Sequence, residues 1–306
     1  MAAETSTNRI PSLPQMPRIP RPWGEIGYAI LLGVSVIGLY LTLQNLQRPW
    51  QNDAYGFYVM WQGGGLYEIP WLDHLAFVYS PAFAHAITPL TDTLSWPTFS
   101  TLWNTLQLAA LIVMVGPIWA AALIWLLPWP ATPVTDVNAI YATLRNGNPQ
   151  FLLALAVALG FRLPGSWAAL ILTKVTPGIG LVWFAVRREW RNLAWAVGAT
   201  VAVASVSFAF APDLWFDWFD QLRQSAASNT LTHEPILPLP LLARLPLAAA
   251  LVAWGGLTNR YWTVPIGAML GLPAIQVGGF VVAVSALCFL PLPFIPRFWR
   301  EWAARG

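Results

Sequence analysis

The chain has 306 residues, of which 57% are hydrophobic and 9% charged, with 16 basic and 13 acidic groups giving a formal net charge of +3. Soluble domains carry roughly 25% charged residues, so this composition excludes a soluble globular protein and indicates an integral membrane one. The small basic excess suits membrane topology and calls for no nucleic acid, and a single cysteine, Cys288, excludes an intrachain disulfide or a thiolate metal centre.

Residues 1–25 contain Arg9, Arg18 and Arg21 among several prolines and no apolar core, which predicts a disordered cytoplasmic tail and not a cleaved signal peptide. The uncharged run 26–46 is long enough to cross a hydrocarbon core of about 30 Å. Further apolar runs predict spans at 74–90, 97–115, 117–129, 148–161, 166–186, 193–211, 236–255, 261–272 and 275–296. The fold class is therefore all-α, a polytopic transmembrane helical bundle of about ten spans. A single membrane domain is expected over 26–296, followed by a cytoplasmic tail at 297–306.

Basic residues collect in cytoplasmic loops. With both termini inside, Arg145, Arg187, Arg188, Arg191, Arg260, Arg297, Arg300 and Arg305 fall on the inner side, and Arg48, Arg162, Arg223 and Arg244 on the outer. Two outer loops follow, 47–73 with Asp53, Glu68 and Asp73, and 212–235 with Asp213, Asp217, Asp220, His233 and Glu234. Their stretches "DAYGFYVMWQ" and "DLWFDWFDQL" read as aromatic amphipathic helices lying in the membrane interface.

Lys174 is the only lysine and falls inside an apolar run, "AALILTKVTPG". An intramembrane cation must face the bundle interior and find an anionic partner. By helical rise it stands roughly 12 Å into its expected span; either the helix breaks at Pro177 and the lysine lies in an aqueous cavity, or its role is structural. It reads either as a cation for a phosphate group or as a lysine paired with a carboxylate or snorkelling to an interface. Asp53 is a base candidate or a helix N-cap. Tyr79, Ser80, Pro81 and His85 open one predicted span, and Asn146, Asn148 and Gln150 open another. Nucleotide-binding, zinc-protease and serine-hydrolase signatures are missing, and His74, His85 and His233 are too far apart in sequence to argue a metal centre.

The run Asp53, Tyr58, "GGGLYE", "VYSPAFAHAITPL", "NGNPQFLLALAVALG" and "ILTKVTPGIGLVWFAVRREWR" resembles the family 87 glycosyltransferases. The resemblance covers about residues 26–225. It implies a fold of the GT-C type and a polyprenyl-phosphate sugar donor, mannose or a similar hexose. A lipid or glycan acceptor, the lipid bilayer as solvent, and no cofactor or metal are implied with it. Asp53 matches the family's aspartate after the first span, which implies a general base. Tyr79, Ser80, Pro81 and Ala82 stand where the family has a Tyr-Pro-Pro-Leu type motif, with one proline replaced. Gly147, Asn148, Pro149 and Gln150 match a Gly-Gln-x-Asn motif with the amides exchanged, and Lys174 with Pro177 matches a later Lys and Pro. Tyr58, Tyr67, Tyr79, Asn148, Gln150, Lys174, Arg223 and His233 are thereby substrate-binding candidates, with Lys174, Arg223 or Arg244 neutralising the phosphate. Tyr55, Phe57, Tyr58, Trp61 and Tyr67 form either a sugar-stacking wall or a membrane belt. A transporter and a non-catalytic subunit are the competing classes. The absence of two related halves counts against the first, and the chain's being shorter than typical members favours the second.

Overall fold

The computed structural model describes residues 21–46, 53–62, 64–68, 76–126, 139–227, 239–273, 275 and 277–304. Arg9, Arg18, Arg48, Asp73, His74, His233, Glu234 and Arg305 lie outside the described residues. The helices are α1 (Arg21–Leu46), α2 (Asp53–Val59), α3 (Pro81–Thr93), α4 (Trp96–Trp125), α5 (Ala139–Asn146), α6 (Gln150–Leu159) and α7 (Trp167–Thr173). They continue as α8 (Val182–Val186), α9 (Trp190–Phe210), α10 (Pro212–Ala227), α11 (Leu241–Thr258), α12 (Thr263–Leu270), α13 (Phe280–Val284) and α14 (Arg297–Ala304). No strand occurs among the described residues. Gly24–Leu46, Trp96–Trp125, Trp190–Phe210 and Leu241–Thr258 are long and apolar enough to cross a membrane, so the fold is an all-α membrane bundle.

Three of the long helices, α1, α9 and α11, are largely exposed on the outside of the bundle, whereas α4 is mostly buried. α1 exposes Ile30, Val34, Ile37 and Leu41, and α9 buries only Ala196 and Ser207. A helix apolar all round yet exposed is stable only in an apolar solvent. Inside the bundle, one core gathers Leu111, Met114, Phe151, Cys288 and Trp299. A second gathers Trp167, Trp183, Val252, Val264 and Leu272.

α4 is two helices. Gly116 has φ 81° and ψ 162°, and Pro117 follows. Asn104 donates to Leu46 O (3.1 Å), and Trp125 donates to Thr42 Oγ1 (3.1 Å). In a straight helix Asn104 and Trp125 would stand about 31 Å apart, yet their partners are one turn apart on α1. The chain therefore folds back at Gly116, which agrees with separate elements expected at 97–115 and 117–129. A methyl at Gly116 would sit 2.8 Å from Phe294 O.

Two expected spans are rebuilt. The run 166–186 reverses at its middle. Gly178 packs on Ile171 and Gly180 on the indole of Trp167, pairs centred on Lys174, although Trp167 and Gly180 would lie about 20 Å apart on one helix. Lys174 itself is extended (φ −143°, ψ 108°) between α7 and the 3-10 helix Thr176–Leu181. It thus stands at the tip of a helical hairpin and not 12 Å inside a span. The run expected at 74–90 becomes α3, which lies along α2. Phe83 meets Phe57, Trp61 donates to Thr88 Oγ1 (2.9 Å), and Tyr58 donates to Leu94 O (3.1 Å) at the far end of α3. A helix that touches the short α2 at both ends stays at one end of the bundle.

Candidate active site

The elements that begin or end beside α2 converge at that end of the bundle. Asp53 opens α2, where a carboxylate suits the positive end of the helix. Ala54 and Phe57, buried, fix the helix against α3 and α4. The turn between α5 and α6 presses on Ala54, because Gly147 takes φ 67° and a methyl there would lie 2.5 Å from Ala54 Cβ. Trp103 holds the turn by donating to Gly147 O (2.6 Å). The next residue, Asn148, then donates from Nδ2 to Asp53 Oδ2 (2.7 Å). Gly147→Ala is expected to cost about 1–3 kcal/mol for the left-handed backbone alone. It also displaces Asn148 from Asp53, so a lowered melting temperature with disproportionate loss of activity is the result to look for.

Asp53 lies within electrostatic range of Lys174 at the hairpin tip and of Tyr79. Lys174 is half-buried as a residue and its side chain makes no hydrogen bond to the described residues. Ser80 caps α3 by accepting from Phe83 N (3.4 Å), with Pro81 in the first turn. Tyr67 donates to Tyr79 O (2.7 Å). Burial, and then the charge of Asp217, push the Tyr67 phenol far above its ordinary value, so it stays a hydrogen-bond donor at any working pH. α10 closes the side of the site. Gln221 donates to Phe77 O (3.2 Å), and Trp215 and Trp218 pack on Ala82, Ala168 and Leu172. This is the amphipathic helix read from "DLWFDWFDQL".

Asp53, Tyr67, Tyr79, Asn148, Gln150 and Lys174 are thus brought to one place. The other sequence candidates are not. Tyr58 turns its hydroxyl to Leu94 O among Trp96 and Phe99. Arg223 is exposed and paired with Asp220 (2.8 Å). Arg244, 3% exposed, spends its guanidinium on the carbonyls of Leu239, Leu270, Leu272 and Pro273. His85 bonds Ser207 Oγ (2.9 Å). Phe57 sits within the aromatic core of Phe77, Tyr79, Phe83 and Trp103 and offers no face to a sugar. Arg145, expected with the inner arginines, closes α5 just before Gly147 and so stands at the Asp53 end, while Arg162 lies at the distal α6–α7 turn. Two residues were not anticipated. Asn104 and Gln107 of α4 are buried, and Asn104 Oδ1 approaches the turn at Gly147; neither amide belongs to a motif.

The family model of glycosyltransferase family 87 matches residues 77–291, more than two thirds of the chain. The chain belongs to glycosyltransferase family 87. No curated protein and no solved structure matches it. As a member of family 87 it takes a sugar donor and an acceptor, and its apolar helices put that transfer at a lipid bilayer. The match includes Tyr79, Asn148, Gln150, Lys174 and Arg223. Asp53, Tyr58 and Tyr67 precede it, so the family assignment and the Asp53 geometry are independent observations.

Proposed function

We propose that this family 87 glycosyltransferase moves a hexose, mannose or a near relative, from a polyprenyl-phosphate carrier to a hydroxyl of a lipid or glycan acceptor. Asp53 is the general base, and the reaction runs at the outer face of the cell membrane. The observation that carries the reading is the Asp53 carboxylate, which accepts from Asn148 and lies within electrostatic range of the Lys174 ammonium. A lipid-phosphate donor needs a base for the incoming hydroxyl and a cation for the departing phosphate, a few ångströms apart. One displacement then suffices. The acceptor O–H gives its proton to Asp53, the oxygen bonds the anomeric carbon as its bond to the phosphate oxygen breaks, and the lipid phosphate leaves carrying the electron pair. The anomeric configuration inverts.

The turn of the chain at Lys174 supports this assignment, because a cation at a hairpin tip meets a headgroup that a cation deep in a span would not reach. Orientation is supported by the basic cluster at the other end. Arg187 pairs with Glu189 and bonds Gly256 O (3.2 Å), where α8 and α11 end and α9 begins. The inner side attracts such clusters, which leaves Asp53 outside. With both termini inside, 26–296 is the membrane domain.

The test is transfer of labelled hexose from polyprenyl-phosphate mannose, then glucose, to acceptors in membranes holding the protein. Lys174→Met is expected to lower kcat/KM for the donor about 10²-fold, the scale of losing one charge-stabilising donor, and Lys174→Arg to retain part of it. Wild-type-like kinetics in Lys174→Met would remove the lysine from the phosphate site.

A further inference from the structure

Beside Asp53 lies a set of amides that the protein itself leaves unsatisfied. Gln107 is wholly buried, and neither its Oε1 nor its Nε2 has a partner. Asn104 (2% exposed) and Gln150 (3%) each have a buried, unpaired side-chain oxygen, and so has Asn148. Their positions are linked. Trp103 donates to Gly147 O, and a methyl on Gly147 would lie 3.2 Å from Asn104 Oδ1. On a helix turning 100° per residue, Gln107 falls at an azimuth between Trp103 and Asn104, one turn further along. It therefore points at the chain just past Gly147, where Gln150 begins α6.

Buried polar atoms almost always find partners, so a group of amides with five unpaired atoms among them marks either a ligand or a strain reservoir. The balance of the set says which ligand. Four side-chain oxygens, on Asn104, Gln107, Asn148 and Gln150, lack a partner, and Gln107 Nε2 brings two free hydrogens. A phosphate would add more acceptors and suits Lys174 instead. A polyol, each of whose hydroxyls gives one hydrogen and takes one, fits an acceptor-rich pocket.

We infer that Asn104, Gln107 and Gln150 form the sugar-recognition pocket of the site, receiving hydroxyls of the hexose whose anomeric carbon lies by Asp53. The inference rests on the transferase reading above. Gln107 is then a specificity residue, because a hexose with a hydroxyl in a different orientation leaves its buried amide unpaired.

The experiment compares wild type, Gln107→Leu and Gln107→Glu in detergent by thermal unfolding and by transfer kinetics. The probes are short-chain polyprenyl-phosphate mannose, its glucose counterpart, and the same polyprenyl phosphate without sugar. For wild type, one sugar-bearing lipid raises the melting temperature more than the bare phosphate does. In Gln107→Leu that difference vanishes while the ligand-free protein melts at or above the wild-type temperature, since an apolar residue of similar size removes two unsatisfied groups. KM for the donor rises about tenfold in the same variant, as for loss of one or two neutral hydrogen bonds. Equal stabilisation of wild type by sugar-bearing and bare lipid would overturn the inference and leave the amides to water. A ligand-free Gln107→Leu protein that melts well below wild type would overturn it too, by showing a structural role. Absence of turnover with any donor, alongside a sugar-dependent shift that Gln107→Leu abolishes, would sink the transferase chemistry and leave the sugar pocket standing.

Discussion

Asp53→Asn is expected to reduce hexose transfer by about 10³-fold, within the 10²–10⁴ range for removal of a general base, while the protein inserts, folds and melts as the wild type does. The reasoning is local. The substituted amide keeps an oxygen where Asp53 Oδ2 accepts from Asn148, so the α2 to α5–α6 contact survives. What disappears is the capacity to take a proton and the negative charge opposite Lys174. Binding of the anionic donor should hold or tighten, because a carboxylate near the phosphate repels it. The loss therefore belongs to kcat and not to KM. A variant with kcat intact would leave the base elsewhere and return α2 to a purely structural role.

Arg244→Met is expected to destabilise the protein by about 3–5 kcal/mol, the range for stripping one partner from a buried, hydrogen-bonded charge. The guanidinium gathers four carbonyls at 2.7–2.9 Å, from Leu239 before α11 and from Leu270, Leu272 and Pro273 where α12 ends. These are the orphan acceptors of a helix terminus, and a cation there also meets the negative end of the helix. Methionine fills the volume and satisfies none of them. Arg244→Lys, with a compact ammonium in place of a planar fork, recovers only part of the loss. Thermal unfolding in detergent measures both. An Arg244→Met protein that melts normally but needs far more donor would reinstate Arg244 as a phosphate ligand.

The long helices were legible because apolar runs of twenty residues have one use in a protein so poor in charge. The break before Pro117 was legible too, since Gly-Pro cannot continue a helix. A break at Pro177 was legible, but composition hid the full reversal of the chain at Lys174. The run 166–186 has only the short stretch Thr173–Gly178 at its turn, and a hairpin packed among other helices needs no longer loop, because its backbone groups are satisfied inside the bundle rather than by water. α3 was misplaced for the same reason, as an apolar helix lying on α2 and one crossing the membrane share a pattern. Within the site, Asp53, Asn148 and Lys174 announced themselves by chemistry foreign to an apolar chain. Asn104 and Gln107 did not, because single amides in a span are common and only the approach of Gly147 gives them a location. Arg244 misled in the opposite way. A cation near a membrane surface suggests a phosphate, but broken helices produce bare carbonyls that compete for it.

The hairpins around Lys174 also set a condition on how the protein is made. α6 and α7 have 10 and 7 residues, too few to partition into a bilayer singly. α7 packs on α9, and α6 on α4 and α13, so the hairpin gains its full packing only once those later helices are in place. The approach of Lys174 to Asp53 thus depends on helices made after both residues, and a chain halted before α9 would hold the two side chains of the proposed site without the packing that brings them together.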